Sequence, residues 1–182
     1  MMRTERLVMR GWRATDREPF AALNADPEVM EHFPEKLSRE QSDAFADRIE
    51  AGFDERGWGL WALEADGEFI GYTGLQPVSF ETHFTPAVEI GWRLARSAWG
   101  RGYASEAARA AAAFAFTEIE LDELVSFTVP ANTRSRAVME RIGMTHDAAD
   151  DFDHPGLPEG HVMRRHVLYR ATRVSSITQF GL

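Results

Sequence analysis

Trp99-Gly100-Arg101-Gly102-Tyr103-Ala104 lies between a strand-like run and an alanine-rich run. Its two glycines permit backbone angles that turn successive N–H groups toward one concave side. A helix beginning there aims the positive end of its dipole at the same point. Together these features make a seat for a phosphate or pyrophosphate that needs no side-chain charge. Upstream, Val88, Ile90, Trp92 and Leu94 alternate with Glu89 and Arg93, the period of a strand. Downstream, Ala104, Ala107, Ala108, Ala111 and Ala115 form a stripe of small residues. A helix over about Ser105 to Glu118 is therefore expected to lie close against a sheet.

Working outward, Arg6 to Arg10 reads as a short strand. Asp16 is the expected N-cap of a first helix, with Pro19 in its first turn and an end near Ala25. Ser38 and Gln41 have the spacing of a capping box for a helix from Arg39 to Glu55, stopped by Gly57. Gly59–Glu64 and Phe69–Leu75 read as a hairpin about Asp66-Gly67, followed by a loop from Pro77 to Pro86. After the strand Ala87–Leu94 and the glycine loop come a strand at Glu123–Val129 and a helix from Asn132 to about Ile142, stopped by Gly143. Met144–Ala149 is a candidate strand and Asp150–Gly160 a loop. The last strand lies within His161–Arg173, with Val167 and Tyr169 on one face. This order predicts one α/β domain over residues 1–173: a single mixed, mostly antiparallel sheet with helices on both faces. Residues 174–182 show no pattern and are expected to form a disordered tail.

The chain has 182 residues, 44% apolar, enough for one cored domain. A net charge of −9 argues against general nucleic-acid affinity and is compatible with a cationic substrate. There is no cysteine, so disulfides, thiolate metal sites and cysteine nucleophiles are excluded. Lys36, the only lysine, follows no glycine, which removes a Walker-type nucleotide loop. No His-x-x-x-His spacing occurs, and no metal is expected. The N-terminal stretch lacks a sustained apolar run, and the most apolar window, Ala107–Phe116, contains Arg109 and is too short to span a bilayer. A soluble cytoplasmic protein without a membrane partner is expected. Oligomeric state is left open, a homodimer included.

Three elements together resemble the GCN5-related N-acetyltransferase (GNAT) superfamily, over about Thr4 to Arg173. The glycine loop matches its Gln/Arg-x-x-Gly-x-Gly/Ala motif at Gly102 and Ala104, with Trp99 at the first position. Glu89-Ile90-Gly91-Trp92 and Trp99 through Ala107 resemble the ribosomal-protein N-terminal acetyltransferases of the RimJ/RimL type. Asn132, Ser135 and Gly143-Met144 resemble a second motif of that branch.

The resemblance implies acetyl-coenzyme A as acetyl donor, with amides of Gly100, Arg101, Gly102, Tyr103 and Ala104 on the pyrophosphate and Trp99 leading the loop. Two neighbouring parallel strands would splay to admit the pantetheine arm along Trp92 and Leu94. Arg96, Arg101 and Arg136 lie in or beside the motifs and could neutralise the remaining phosphate charge; surface solvation is the alternative. Asn132 would bond the cofactor, cap a helix, or both. The implied reaction is direct attack of a primary amine on the thioester. Glu89 is the candidate base, or a structural carboxylate. The N–H of Leu94 would hold the tetrahedral oxyanion. Many relatives have a tyrosine that protonates the leaving thiolate where this chain has Met139, which leaves Ser135 the candidate acid, ahead of Tyr169 and His154. The acceptor, a small amine or a protein N-terminus, would meet Phe33, Phe80, Phe84 and Phe152, with Glu31, Glu81, Asp151 and Asp153 attracting its charge. The same aromatics could instead close the core edge. The missing tyrosine also fits a non-catalytic acyl-coenzyme A-binding module. A dinucleotide oxidoreductase is disfavoured by the absent third glycine and the antiparallel strands before the loop.

Overall fold

The computed structural model describes residues 1–173; the tail expected over 174–182 lies outside them. Nine strands are described: β1 (Met2–Arg3), β2 (Val8–Arg10), β3 (Leu60–Ala65), β4 (Glu68–Pro77), β5 (Val88–Leu94), β6 (Glu123–Thr128), β7 (Thr145–His146), β8 (Phe152–Asp153) and β9 (Arg165–Thr172). The helices are α1 (Arg17–Ala25), α2 (Arg39–Arg56), α3 (Tyr103–Thr117) and α4 (Thr133–Arg141). The sheet runs β1-β2-β3-β4-β5-β6-β9-β7, with β8 on β9. All its pairings are antiparallel except β5–β6, which is the expected mixed, mostly antiparallel arrangement.

Local chemistry sets the boundaries. Ser38 and Gln41 form the expected reciprocal capping box at the start of α2, and Gly57 closes it in the left-handed region. Asp66 and Gly67 both take positive φ, giving the tight turn between β3 and β4.

Asp16 departs from its expected role. Its side chain makes no N-cap bond to α1. Both carboxylate oxygens face Arg10, at 2.7 and 2.9 Å, and one also accepts the Arg13 N–H. A buried guanidinium outcompetes a helix amide for the same oxygens. The candidate strand Met144–Ala149 shrinks to Thr145–His146 because the Asp147 side chain accepts the Ala149 N–H and starts a short 3-10 turn.

The alternation along β5 divides the two faces as expected. Ile90 and Leu94 belong to the main core, against Ala107, Ala108, Ala111 and Ala115 of α3, with Trp92 packed at its edge. The alanine stripe brings that helix close to the sheet. The opposite face carries two separate apolar patches. Phe20, Leu23, Ala46 and Ile49 of α1 and α2 cover Leu60 and Tyr72. Phe84 and Phe152 cover Val125 and Leu168. Between these patches lies the strip of β5 that carries Glu89, Gly91 and Arg93.

Candidate active site

β5 and β6 meet at a single register position, Glu89 opposite Val125. Beyond it the two strands part. Ala95 N–H bonds back to the Ile70 carbonyl at 2.9 Å, which sets the alternation of the β4–β5 ladder. The N–H groups of Trp92 and Leu94 consequently point away from β4, into the gap. The gap widens into a cleft of about 1420 Å³. At its mouth, Gly100 (φ +72°) and Gly102 (φ +80°) turn the chain into α3. Among the described residues the amides from Gly100 to Ser105 make no backbone hydrogen bond, so a run of free donors and a helix N-terminus share one edge of the cleft.

Trp92, Leu94, Trp99, Gly100, Gly102, Tyr103 and Ala104 all line this cleft, as do Glu89, Asn132 and Ser135. Trp99 donates its indole N–H to the Leu94 carbonyl at 2.9 Å, so the oxygen of Leu94 is occupied while its N–H stays free. Asn132 accepts the Ser135 N–H at 3.2 Å and donates to Thr128 Oγ1 at 2.9 Å. It is a helix cap and a cleft residue at once. Met139, at the position where the resemblance would supply tyrosine, is 1% exposed and belongs to the core.

Of the three arginines expected at the phosphates, Arg96 and Arg136 are engaged elsewhere. Arg96 is held by Asp26 and Glu28. Arg101 lies over the Tyr103 ring, 4.7 Å from its centroid, outside the cleft. Arg136 donates to the Tyr169 hydroxyl at 3.2 Å and to the Pro130 carbonyl at 3.1 Å. The cations that do line the cleft near the loop are Arg6, Arg109, Arg134 and Arg141. Arg134 stacks over Trp99 at 4.1 Å and pairs with Glu31. Helical spacing carried this signal: Arg134, Val138 and Arg141 share the face that meets the cleft, while Arg136 and Glu140 share the face that meets Tyr169. Tyr169 donates its hydroxyl proton to Glu140 at 3.0 Å, is 2% exposed and does not line the cleft.

Glu89 accepts a hydrogen bond from Gln76 Nε2 at 2.9 Å, across the β4–β5 ladder. Burial pushes its carboxyl up to about 7, against the hydrogen bond, which favours the charged form. Gln76 was not legible as a partner, because only the register places it opposite Glu89. His154 and His166 stand at the cleft wall with ring centroids 5.2 Å apart, and burial lowers the pKa of each.

The expected acceptor wall is mostly not there. Phe33 lines the cleft, but Phe80, Phe84 and Phe152 pack on one another and on the sheet. Glu31 pairs with Arg134, Asp151 with His146, and Asp153 with Arg164 and Arg165. The closing of the core edge, not an acceptor pocket, is what these rings achieve.

A splayed parallel pair opening onto a glycine-turned helix N-terminus defines an acetyltransferase site of the GNAT kind. The acetyltransferase (GNAT) domain family matches residues 6–145, and the chain belongs to that family. It is 35% identical to the FsC-acetyl coenzyme A-N(2)-transacetylase of Aspergillus fumigatus over 160 residues, covering 80% of this chain and 67% of the relative. An acetyltransferase of Agrobacterium tumefaciens superposes with a TM-score of 0.75 at 30% identity, covering 93% and 92% of the two chains. The RimL ribosomal L7/L12 alpha-N-protein acetyltransferase in complex with coenzyme A superposes with a TM-score of 0.73, covering 93% and 95%. At 16% identity that last likeness is one of fold.

Proposed function

We propose that the protein transfers acetyl from acetyl-coenzyme A to the nitrogen of a primary amine by direct attack in a ternary complex. The observation that carries this reading is the run of free amides along one wall, from Trp92 and Leu94 to the N-terminus of α3. A pantetheine chain fits there as an added strand, with its pyrophosphate on the amides of Gly100 to Ala104. The loop sequence supports a RimJ/RimL-type branch.

The residues then divide the work. A primary ammonium must lose a proton before it attacks. Glu89, with its pKa near 7, takes that proton directly or through one water. The amine lone pair attacks the thioester carbonyl carbon, forming the C–N bond and placing negative charge on oxygen, which the Leu94 N–H stabilises. Collapse breaks the C–S bond and expels the coenzyme A thiolate. Ser135, on the cleft wall, donates its hydroxyl proton to the thiolate and takes the remaining proton from the nitrogen, which leaves a neutral amide and a restored hydroxyl. A thiol of pKa about 8.5 leaves with modest help, so the buried Met139 is tolerated where a tyrosine would stand.

The test is release of free coenzyme A thiol from acetyl-coenzyme A in the presence of a panel of primary amines. Amine-dependent release supports the reading. Coenzyme A binding with no release across small amines and peptide N-termini overturns it.

A further inference from the structure

The strip of β5 between the two apolar patches holds one side chain that the reaction above does not use. Arg93 is 9% exposed and lines the cleft beside Phe33. Among the described residues it pairs with no carboxylate. Its Nη1 donates to Asn24 Oδ1 at 2.6 Å, and its Nε is buried with no acceptor. Asn24 is itself fixed, because its amide donates to Ser42 Oγ at 2.9 Å.

Three rings surround the guanidinium: Phe33 at 4.1 Å, Tyr72 at 5.6 Å and Phe45 at 5.9 Å from their centroids. Ring faces stabilise a cation but accept none of its in-plane hydrogen bonds. Arg10, the other buried arginine, shows what such a group ordinarily has: two bonds to Asp16 and one to Glu64. The nearby Glu28 does not serve Arg93, since Arg96 holds it.

Glu89 and Arg93 project from the same face of β5, two strand steps either side of Gly91. A Cβ at Gly91 would meet only Glu89 Oε1, at 3.9 Å. The carboxylate thus hangs over the glycine, and the floor between it and Arg93 is bare. A base and an unanswered planar cation face one short open space.

We propose that the acceptor is a small amine that also carries a carboxylate, which Arg93 binds while the amine faces Glu89. A charge-assisted carboxylate supplies the in-plane acceptors that the aromatic cage cannot. This rests on the acetyltransferase reading and narrows its acceptor.

The experiment compares α- and ω-amino acids with their carboxamides, wild type against Arg93→Gln. Thiol release gives kcat/KM for each. Wild type is expected to prefer the acid by about tenfold to a hundredfold, expressed in KM. In Arg93→Gln the ratio falls toward one, while coenzyme A still raises the melting temperature. Equal use of acid and amide by wild type overturns the proposal, as does a preference that survives the substitution. The wild-type arm decides even if the variant does not fold. If no amine is turned over, thermal shift separates the two readings. Acids that stabilise wild type where carboxamides do not uphold the Arg93 site while the transferase reading fails. No difference between them overturns the Arg93 site as well.

Discussion

At the level of single residues, Glu89 carries the sharpest predictions. Its carboxyl is held up to about 7 by burial, so in its proposed role as base it is ready only above that pH. Activity in kcat/KM should climb through about pH 7 in wild type. Glu89→Gln should lose about 100-fold or more and with it this limb of the profile. The same shift fixes a stability trend. Between the unfolded carboxyl pKa near 4.3 and about 7, the folded chain holds a proton that the unfolded chain has released. Folding stability therefore falls as pH rises through that window, by about 3–4 kcal/mol. Chemical denaturation of Glu89→Gln at several pH values should show that slope flattened and the variant more stable than wild type at pH 8. Asp16→Asn leaves the buried Arg10 with Glu64 alone and should cost about 3 kcal/mol, read as a lower denaturation midpoint.

Among the elements, α3 and the turn before it matter most. Gly102 sits at φ +80°, a conformation that a side chain adopts at a cost of about 1 kcal/mol, and a Cβ there would lie 3.4 Å from Arg6 Nη2. Gly102→Ala is expected to fold, yet to give a smaller coenzyme A-induced rise in melting temperature than wild type, because the free amides no longer converge. Ala111 is fully buried between α3 and the sheet. Ala111→Leu should lower stability by about 1–3 kcal/mol through overpacking.

Much at this level was legible in the sequence. The alternation of β5, the alanine stripe, the Ser38–Gln41 box and the Asp66-Gly67 turn are local patterns, and each formed as read. The strand expected over Met144–Ala149 was mostly lost because the Asp147 side chain captured an amide that the ladder would have used. The partners of Arg96 and Arg136 were not legible from nearness to the motif. An arginine reaches far enough that its nearest carboxylate or hydroxyl in space, and not its place in the chain, decides where its charge goes.

Over the whole molecule, the sheet is two halves, β1 to β5 and β6 to β9, joined in the strand ladder at Glu89 and Val125. In the proposed complex a pantetheine chain between them would act as the missing strand. The amides of Trp92 and Leu94 should exchange hydrogen quickly in the free protein and slowly with saturating coenzyme A. At a hundred times its dissociation constant the ligand should add about 2.7 kcal/mol to stability. Protection confined to other regions would count against the proposed seat. Among the described residues no helix is long and apolar enough to cross a membrane.

The sequence by itself determined the longer strands and helices, the glycine loop and the family they imply, because each depends on neighbours within a few positions along the chain. Tertiary structure alone decided that Gln76 meets Glu89, that Phe80, Phe84 and Phe152 close a core, and that Arg93 is buried with rings around it and, among the described residues, no anion. Those facts depend on strand register and on which patches cover which face. Register and coverage are set by the packing of residues far apart in the chain, and no local pattern encodes them.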